Sequence, residues 1–269
     1  MTVDVEDYFQ VSAFEQCIAR DQWDTLPHRV EANTNKILDL FSKHNVKATF
    51  FVLGWVAERY PQIVKKIVAQ GHEIASHGYG HQRATLQSPQ EFRDDIVKAK
   101  DILEDLSGEV IKGYRAPSYS ISKKNLWAQD ELFKAGYLYS SSVYPVRHDL
   151  YGIPDASRFA YRCESGLLEI PVTTVNLFGK NFPAGGGGFF RLYPYLLSRW
   201  NIQQVNDQDK QAAIFYFHPW EIDPQQPRQN EASLKSRFRH YLNLHKTEKR
   251  LDRLLADFQW GRMDDTFLK

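Results

Sequence analysis

A chain of 269 residues is long enough for one large core, and α/β barrels of this size fold as single units. Its 17 Phe, 14 Tyr and 6 Trp argue against disorder, and 34 Lys+Arg against 33 Asp+Glu leave a formal net charge of +1, without the strongly basic balance of a nucleic-acid binder. Two distant cysteines, Cys17 and Cys163, have no metal-type spacing and read as a reduced intracellular pair.

The opening "MTVDVEDYFQ" places acids where a signal peptide needs a basic and then an apolar run, and no apolar stretch reaches membrane-span length. A soluble cytoplasmic protein without an integral membrane segment is the expectation. "TVDV" reads as a first short strand. "RVEANTNKILDLFSKHN" carries Ile37, Leu38 and Phe41 at helical spacing, and "KATFFVLG" is a β-rich run closed by Gly54. "PQIVKKIVAQG" is a helix with Pro61 at its start and Gly71 as its stop. "HEIASH" is the next strand. "SPQEFRDDIVKAKDILEDLSG" opens with Ser88 as N-cap, Pro89 at the first helical position and Glu91 three residues after the cap.

The alternation continues through "VIKGYRAP", "NLWAQDELFKAGY", "YSSSVYP" and "LLEIPVTTV", then a helix around "YPYLLSRWNIQQVN" and the strand "AAIFYFHPWE". The last segment, "SLKSRFRHYLNLHKTEKRLDRLLADF", reads as one long basic amphipathic helix, a solvated face packed on the body of the fold. Repeated strand–helix units imply parallel strands with helices outside. A barrel is favoured over an open sheet because no glycine-rich phosphate loop follows the first strand. The expected organisation is one domain over 1–269, with 229–269 a C-terminal helical extension. The run "AGGGGFFRL", which ends near Arg191, reads either as a flexible loop over a site or as a turn-rich connector.

Functional residues of parallel α/β folds gather at the C-terminal ends of the strands. Those ends offer Asp4, Glu6 and Asp7; then His77 and His81; then Arg115 with Pro117; and finally His218, Pro219 and Trp220. His77 and His81 suit a mixed nitrogen–oxygen metal site completed by a carboxylate, or else serve as capping or core histidines. Gly78 and Gly80 weaken a helix between them, and the zincin pattern does not fit, because Glu73 follows His72 and the next histidine is five residues on. The other histidines read as structural or solvent-facing, and Glu221 and Asp223 as caps of the turn after His218.

"TVDVED", "GHEIASHGYGH", "YRAPSYS" and "FYFHPWE", in that order, resemble the NodB-type polysaccharide deacetylases (carbohydrate esterase family 4). "DVEDYFQVSAFE" and "GGGGFFRL" resemble, more narrowly, the subgroup found with exopolysaccharide and exosortase loci. The likeness runs from residue 1 to about 228. It implies a distorted (β/α) barrel and metal-dependent removal of N-acetyl groups from amino sugars of a polysaccharide or its precursor.

Carried over by position, His77 and His81 match the family's metal pair, with Gly78 where Ser or Thr is usual. Asp4 matches the catalytic base, Arg115 the arginine that orients it, and His218 the late histidine that acts as general acid. The family's second acid directly follows the first, whereas Val5 intervenes here, so Glu6 and Asp7 both stand as candidate metal carboxylates. The implied cofactor is a divalent ion, Zn²⁺ by expectation, and the implied partner an N-acetylated saccharide. A backbone N–H near Ser118 or Tyr119 would join the ion in holding the oxyanion, and Tyr119 and Trp220 are candidates for stacking on sugar faces, with packing at the rim the equal reading for Trp220. Two alternatives are an allantoinase-like cyclic amide hydrolase, which would show a closed pocket rather than a groove, and a carbohydrate-binding protein with a decayed site.

Overall fold

The computed structural model describes residues 1–148 and 151–269. The first half follows the expected alternation closely. β1 (Thr2–Val5), β2 (Thr49–Val52) and β3 (Glu73–Ser76) are four-residue strands, buried at every position, as strands covered on both faces must be. Between β1 and β2 runs α1 (Val30–Lys43), which buries Val30, Thr34, Ile37, Leu38 and Phe41 at helical spacing. α2 (Gly54–Arg59), absent from the sequence reading, and α3 (Pro61–Ala69) connect β2 to β3. α4 (Pro89–Ser107) starts with the expected capping box: Ser88 Oγ accepts from the Glu91 N–H, and the Glu91 carboxylate accepts from the Ser88 N–H.

Later strands are shorter. β4 (Gly113–Tyr114), α5 (Trp127–Lys134) and β5 (Tyr139–Ser140) are followed by β6 (Tyr161–Arg162) and β7 (Leu168–Glu169). The run "LLEIPVTTV", read as one strand, divides at Ile170–Thr173. Its first part is β7, and its second opens β8 (Thr174–Leu177), which pairs antiparallel with β9 (Lys180–Pro183) in a separate two-stranded sheet. Pro171 lies in the break and has no N–H to give a ladder. α6 (Gly187–Leu192), α7 (Tyr195–Asp207) and β10 (Tyr216–Phe217) come next. The long C-terminal helix is in fact two, α8 (Leu234–Tyr241) and α9 (Leu244–Asp257), with α10 (Met263–Phe267) at the end.

The main sheet has the order β10-β1-β2-β3-β4-β5-β7-β6, parallel throughout except for β6 against β7. With helices outside and its two ends unjoined, it is a curled, incompletely closed barrel in a single domain, the distorted (β/α) barrel expected. Register places the chemistry. Val5, Val52 and Ser76 are paired, so Glu6 and His77 both leave the sheet one residue beyond the same level. Ser76 pairs with Tyr114, which sets Arg115 beside His77, and Val3 pairs with Phe217, which sets His218 beside Asp4. Cys17 and Cys163 are free thiols.

Candidate active site and metal centre

Side chains alternate along a strand, so Thr2, Asp4 and Glu6 follow one face while Val3 and Val5 take the other. The inward face is polar. Arg115, fully buried, donates from Nη1 to Asp4 Oδ1 at 2.6 Å and to Thr2 Oγ1 at 2.8 Å, and from Nη2 to Ser141 Oγ at 3.0 Å. Its guanidinium also lies 4.1 Å from the centre of the Phe51 ring. Four fixed contacts leave Arg115 little freedom, and Asp4 is oriented accordingly.

Glu6, His77 and His81 form a buried group whose ligand atoms all lie within 4.8 Å of one another. Three observations match the needs of a cation. Among the described residues Glu6 Oε2 has no hydrogen-bond partner of good geometry, although His81 Nε2 is 2.7 Å away. His77 Nδ1 is 2.8 Å from the Arg115 carbonyl oxygen, to which it donates, so His77 Nε2 keeps its lone pair for the centre of the group. One carboxylate and two imidazoles are also the donor set of a divalent site with open positions.

Burial alone would raise the Glu6 carboxyl, but His81, His218 and His77 outweigh it and hold it down at about 2. Burial pulls His77 down to about 4, against the opposing pull of Asp4 and Glu6. An ionised carboxylate and a neutral imidazole are the forms that bind metal.

The "HGYGH" turn explains why histidines four apart converge without a helix. Gly78 sits at φ +76, and a Cβ there would come within 2.6 Å of Asp95 Oδ2. That carboxylate, projecting from α4, accepts from the Tyr79 and Gly80 N–H groups and presses the turn into shape. His81 follows in the left-handed region at φ +50, and its ring stands 5.4 Å from that of His77.

The structure does not bring Asp7 to this group. Asp7 Oδ2 accepts from the N–H groups of Arg29 and Val30 at 2.6 and 2.9 Å, and Oδ1 from Tyr8, so it caps α1. The sequence signal that separates Glu6 from Asp7 is parity: two residues past Asp4 stays on its face, three residues crosses to the other.

His218 is the most open member of the constellation, with 18 % of its side chain exposed. Its Nε2 lies 3.6 Å from Glu6 Oε1 and 3.9 Å from Asp4 Oδ2, and its Nδ1 donates to Glu221 Oε1 at 2.7 Å. Burial lowers this imidazole, but Glu6, Glu221 and Asp4 together push it up to about 9.

Of the two readings of Trp220, its surroundings fit packing at the rim. It is 5 % exposed, stacked on His218 and on His240, and donates its indole N–H to Glu6 Oε1 at 3.2 Å. Little of its face remains for a ligand, because the stack already covers it. Tyr119 is equally buried, edge-on to Tyr144, Tyr151 and Tyr216, with its hydroxyl lacking a hydrogen-bond partner among the described residues. Its backbone N–H donates to the Ala116 carbonyl at 3.0 Å, which removes it as an oxyanion donor. A cavity of about 390 Å³ opens beside Trp220 and Tyr216, walled by Tyr151, Phe189, Arg191 and Phe238.

Comparison with known proteins covers part of this site. Residues 21–137 match the family model Polysaccharide deacetylase, a span that includes His77, His81 and Arg115 but not Asp4, Glu6 or His218. Residues 141–268 match Domain of unknown function (DUF3473). A peptidoglycan-N-acetylglucosamine deacetylase of Bacillus cereus is 44 % identical over 101 residues, 37 % of this chain and 37 % of that one. Matches to the curated relatives span between 20 % and 43 % of their lengths.

Among solved structures, a Mycobacterium smegmatis protein provisionally named a polysaccharide deacetylase aligns with a TM-score of 0.62 at 20 % identity, over 98 % of this chain and 86 % of that one. PuuE allantoinase aligns at 0.52 and 18 % identity, over 87 % of this chain and 70 % of that one. The family match is confined to residues 21–137, and the structural matches show a shared fold over nearly the whole chain. The fold alone is shared by both enzymatic readings.

Proposed function

We propose that this chain hydrolyses the N-acetyl group of an amino sugar, in a polysaccharide or its precursor made for an exopolysaccharide, with a divalent ion, Zn²⁺, held by Glu6, His77 and His81. The observation that carries this reading is the meeting, at one rim, of an Asp4–Arg115 pair and a His218–Glu221 pair with that ligand group, His218 Nε2 lying within 4 Å of both Asp4 and Glu6. When bound there, the ion supplies Lewis acidity to the acetyl carbonyl and to water.

The chain's own residues do the rest. Asp4, with Oδ1 fixed by Arg115, offers Oδ2 to the proton of the attacking water. His218, with its Nδ1–H held by Glu221, gives a proton from Nε2 to the departing nitrogen, which cannot leave as an anion. General acid help of this kind contributes a factor of about 10²–10⁴. A site that had decayed to mere carbohydrate binding would not keep acid, base, orienting arginine and ligand group in mutual register. A cytoplasmic place of action belongs to the same proposal and is read by cell fractionation.

The test combines metal analysis with acetate release from N-acetylglucosamine oligomers. The intact protein should hold about one divalent ion per chain, lost in His77→Ala/His81→Ala, and should release acetate only when loaded. Asp4→Asn and His218→Ala should each lower kcat by on the order of 100-fold or more with metal content unchanged. Metal binding without acetate release, together with opening of a cyclic ureide, would move the assignment to the allantoinase-like reading.

A further inference from the structure

Resting on the deacetylase reading, we propose that Arg191, at the end of the glycine-rich segment, is a positioning residue for His218 and acts through Glu221. Glu221 divides its two oxygens. Oε1 accepts from His218 Nδ1 at 2.7 Å and from the His218 backbone N–H at 3.2 Å; Oε2 accepts from Arg191 Nε at 2.6 Å. Capping the turn after His218 needs only the first oxygen. Arg191 is 3 % exposed, and its Nη1 donates to the carbonyls of His240 and Leu242 at 2.6 and 3.0 Å. The guanidinium is thus held by the α8–α9 junction and in turn holds the carboxylate that fixes the His218 ring. With Nδ1–H committed to Glu221, His218 can direct only Nε2 toward Asp4 and Glu6.

The glycines set this geometry as a tight connector between β9 and α6. Gly186 forms a parallel bridge with Tyr216, and the Tyr216 N–H donates to the Gly185 carbonyl at 2.7 Å, so the run lies along the outer edge of β10 two residues before His218. Gly186 has φ +110, and a Cβ there would stand 2.2 Å from the Tyr216 carbonyl oxygen; at Gly187, φ +56, it would meet the Tyr216 hydroxyl at 2.5 Å. Only glycine permits so close an approach. α6 starts directly from this contact and carries Arg191 within its last turn to Glu221. The strand bearing the acid and the helix bearing its support are therefore locked to each other.

The test uses the metal-loaded full chain. kcat and KM are measured for Arg191→Met, Arg191→Lys and Glu221→Gln, each also in a His218→Ala background, beside metal content and the His218 ring protons by ¹H–¹⁵N NMR. Glu221→Gln should lower kcat about 10–100-fold, the usual range for such outer partners, and Arg191→Met about tenfold. KM and metal content should hold, and Arg191→Lys should recover part of the loss. In the His218→Ala background neither substitution should change the residual rate. The hydrogen-bonded Nδ1 proton of His218 should be present in the unsubstituted protein and lost in Glu221→Gln and Arg191→Met. An equal loss from Arg191→Met with and without His218, or an unaltered Nδ1 proton in that variant, would overturn the proposal. If the unsubstituted protein releases no acetate, the function proposed above fails instead, and the NMR arm alone decides the positioning. Should Arg191→Met not fold, Arg191→Lys supplies the same comparison.

Discussion

Glu6 and Asp7 are adjacent carboxylates, both buried, with opposite work. One points into the barrel toward two imidazoles; the other turns outward and satisfies the first N–H groups of α1. Asp7→Ala should therefore lower stability by about 1–2 kcal/mol in urea unfolding, as loss of a helix cap does, and leave metal binding intact. Glu6→Gln should do the reverse; loss of metal in the Asp7 variant would reverse the assignment. His218 yields a second residue-scale expectation. The acid form is required and its pKa is pushed up, to about 9 before a cation shares the charge of Glu6. kcat/KM should then fall as pH rises, with a midpoint no higher than about 9, because a cation on Glu6 removes the largest of the upward pushes. A profile flat to pH 10 would remove His218 as the proton donor.

At the scale of elements, β3 is entered through a buried histidine. His72 Nδ1 accepts from the Ala48 N–H at 3.2 Å, and burial, aided by Lys47 and Arg262, lowers it to about 4. Its folded pKa lies below its unfolded one, so the native state refuses a proton that the unfolded chain accepts. Stability is unaffected above about 6.5 and is lost as pH falls from there toward 4, by roughly 2–3 kcal/mol at the lower end. Denaturant unfolding at several pH values should show that slope shallower, by about one proton, in His72→Phe; an unchanged slope would exclude this residue as the source.

The C-terminal segment teaches a different lesson. Its apolar periodicity runs on through residues 233–258, yet the helix breaks at Leu242–Asn243, where Asn243 adopts φ +53. Both residues there bind Arg191: the Leu242 carbonyl accepts from its guanidinium, and Asn243 donates to its backbone carbonyl. A tertiary contact overrides a local preference for helix.

For the whole molecule, the site joins chain segments that are more than two hundred residues apart, since β10 closes against β1. A ligand that bridges β1 and β3 binds only the folded chain and must stabilise it. Addition of Zn²⁺ at 100 times its dissociation constant should stabilise the protein by about 2.7 kcal/mol, read as a rise in Tm. His77→Ala/His81→Ala should show no such rise, and a rise that persisted would place the ion elsewhere.

Read alone, the residues determine the alternation of strands and helices, the capping box at Ser88 and Glu91, and the placing of Asp4, His77, His81, Arg115 and His218 at strand ends. Each is a local pattern, written within a few neighbouring positions by side-chain periodicity and turn chemistry. Glu6 and Asp7 both stand on the sequence, and strand parity separates them once the structure shows which face of β1 is inward. The tertiary structure alone decided that Trp220 is buried and stacked on two imidazoles, that the glycine run bridges to β10, and that Arg191 reaches Glu221. Those outcomes depend on which distant segments pack together, and a one-dimensional pattern records no such distance.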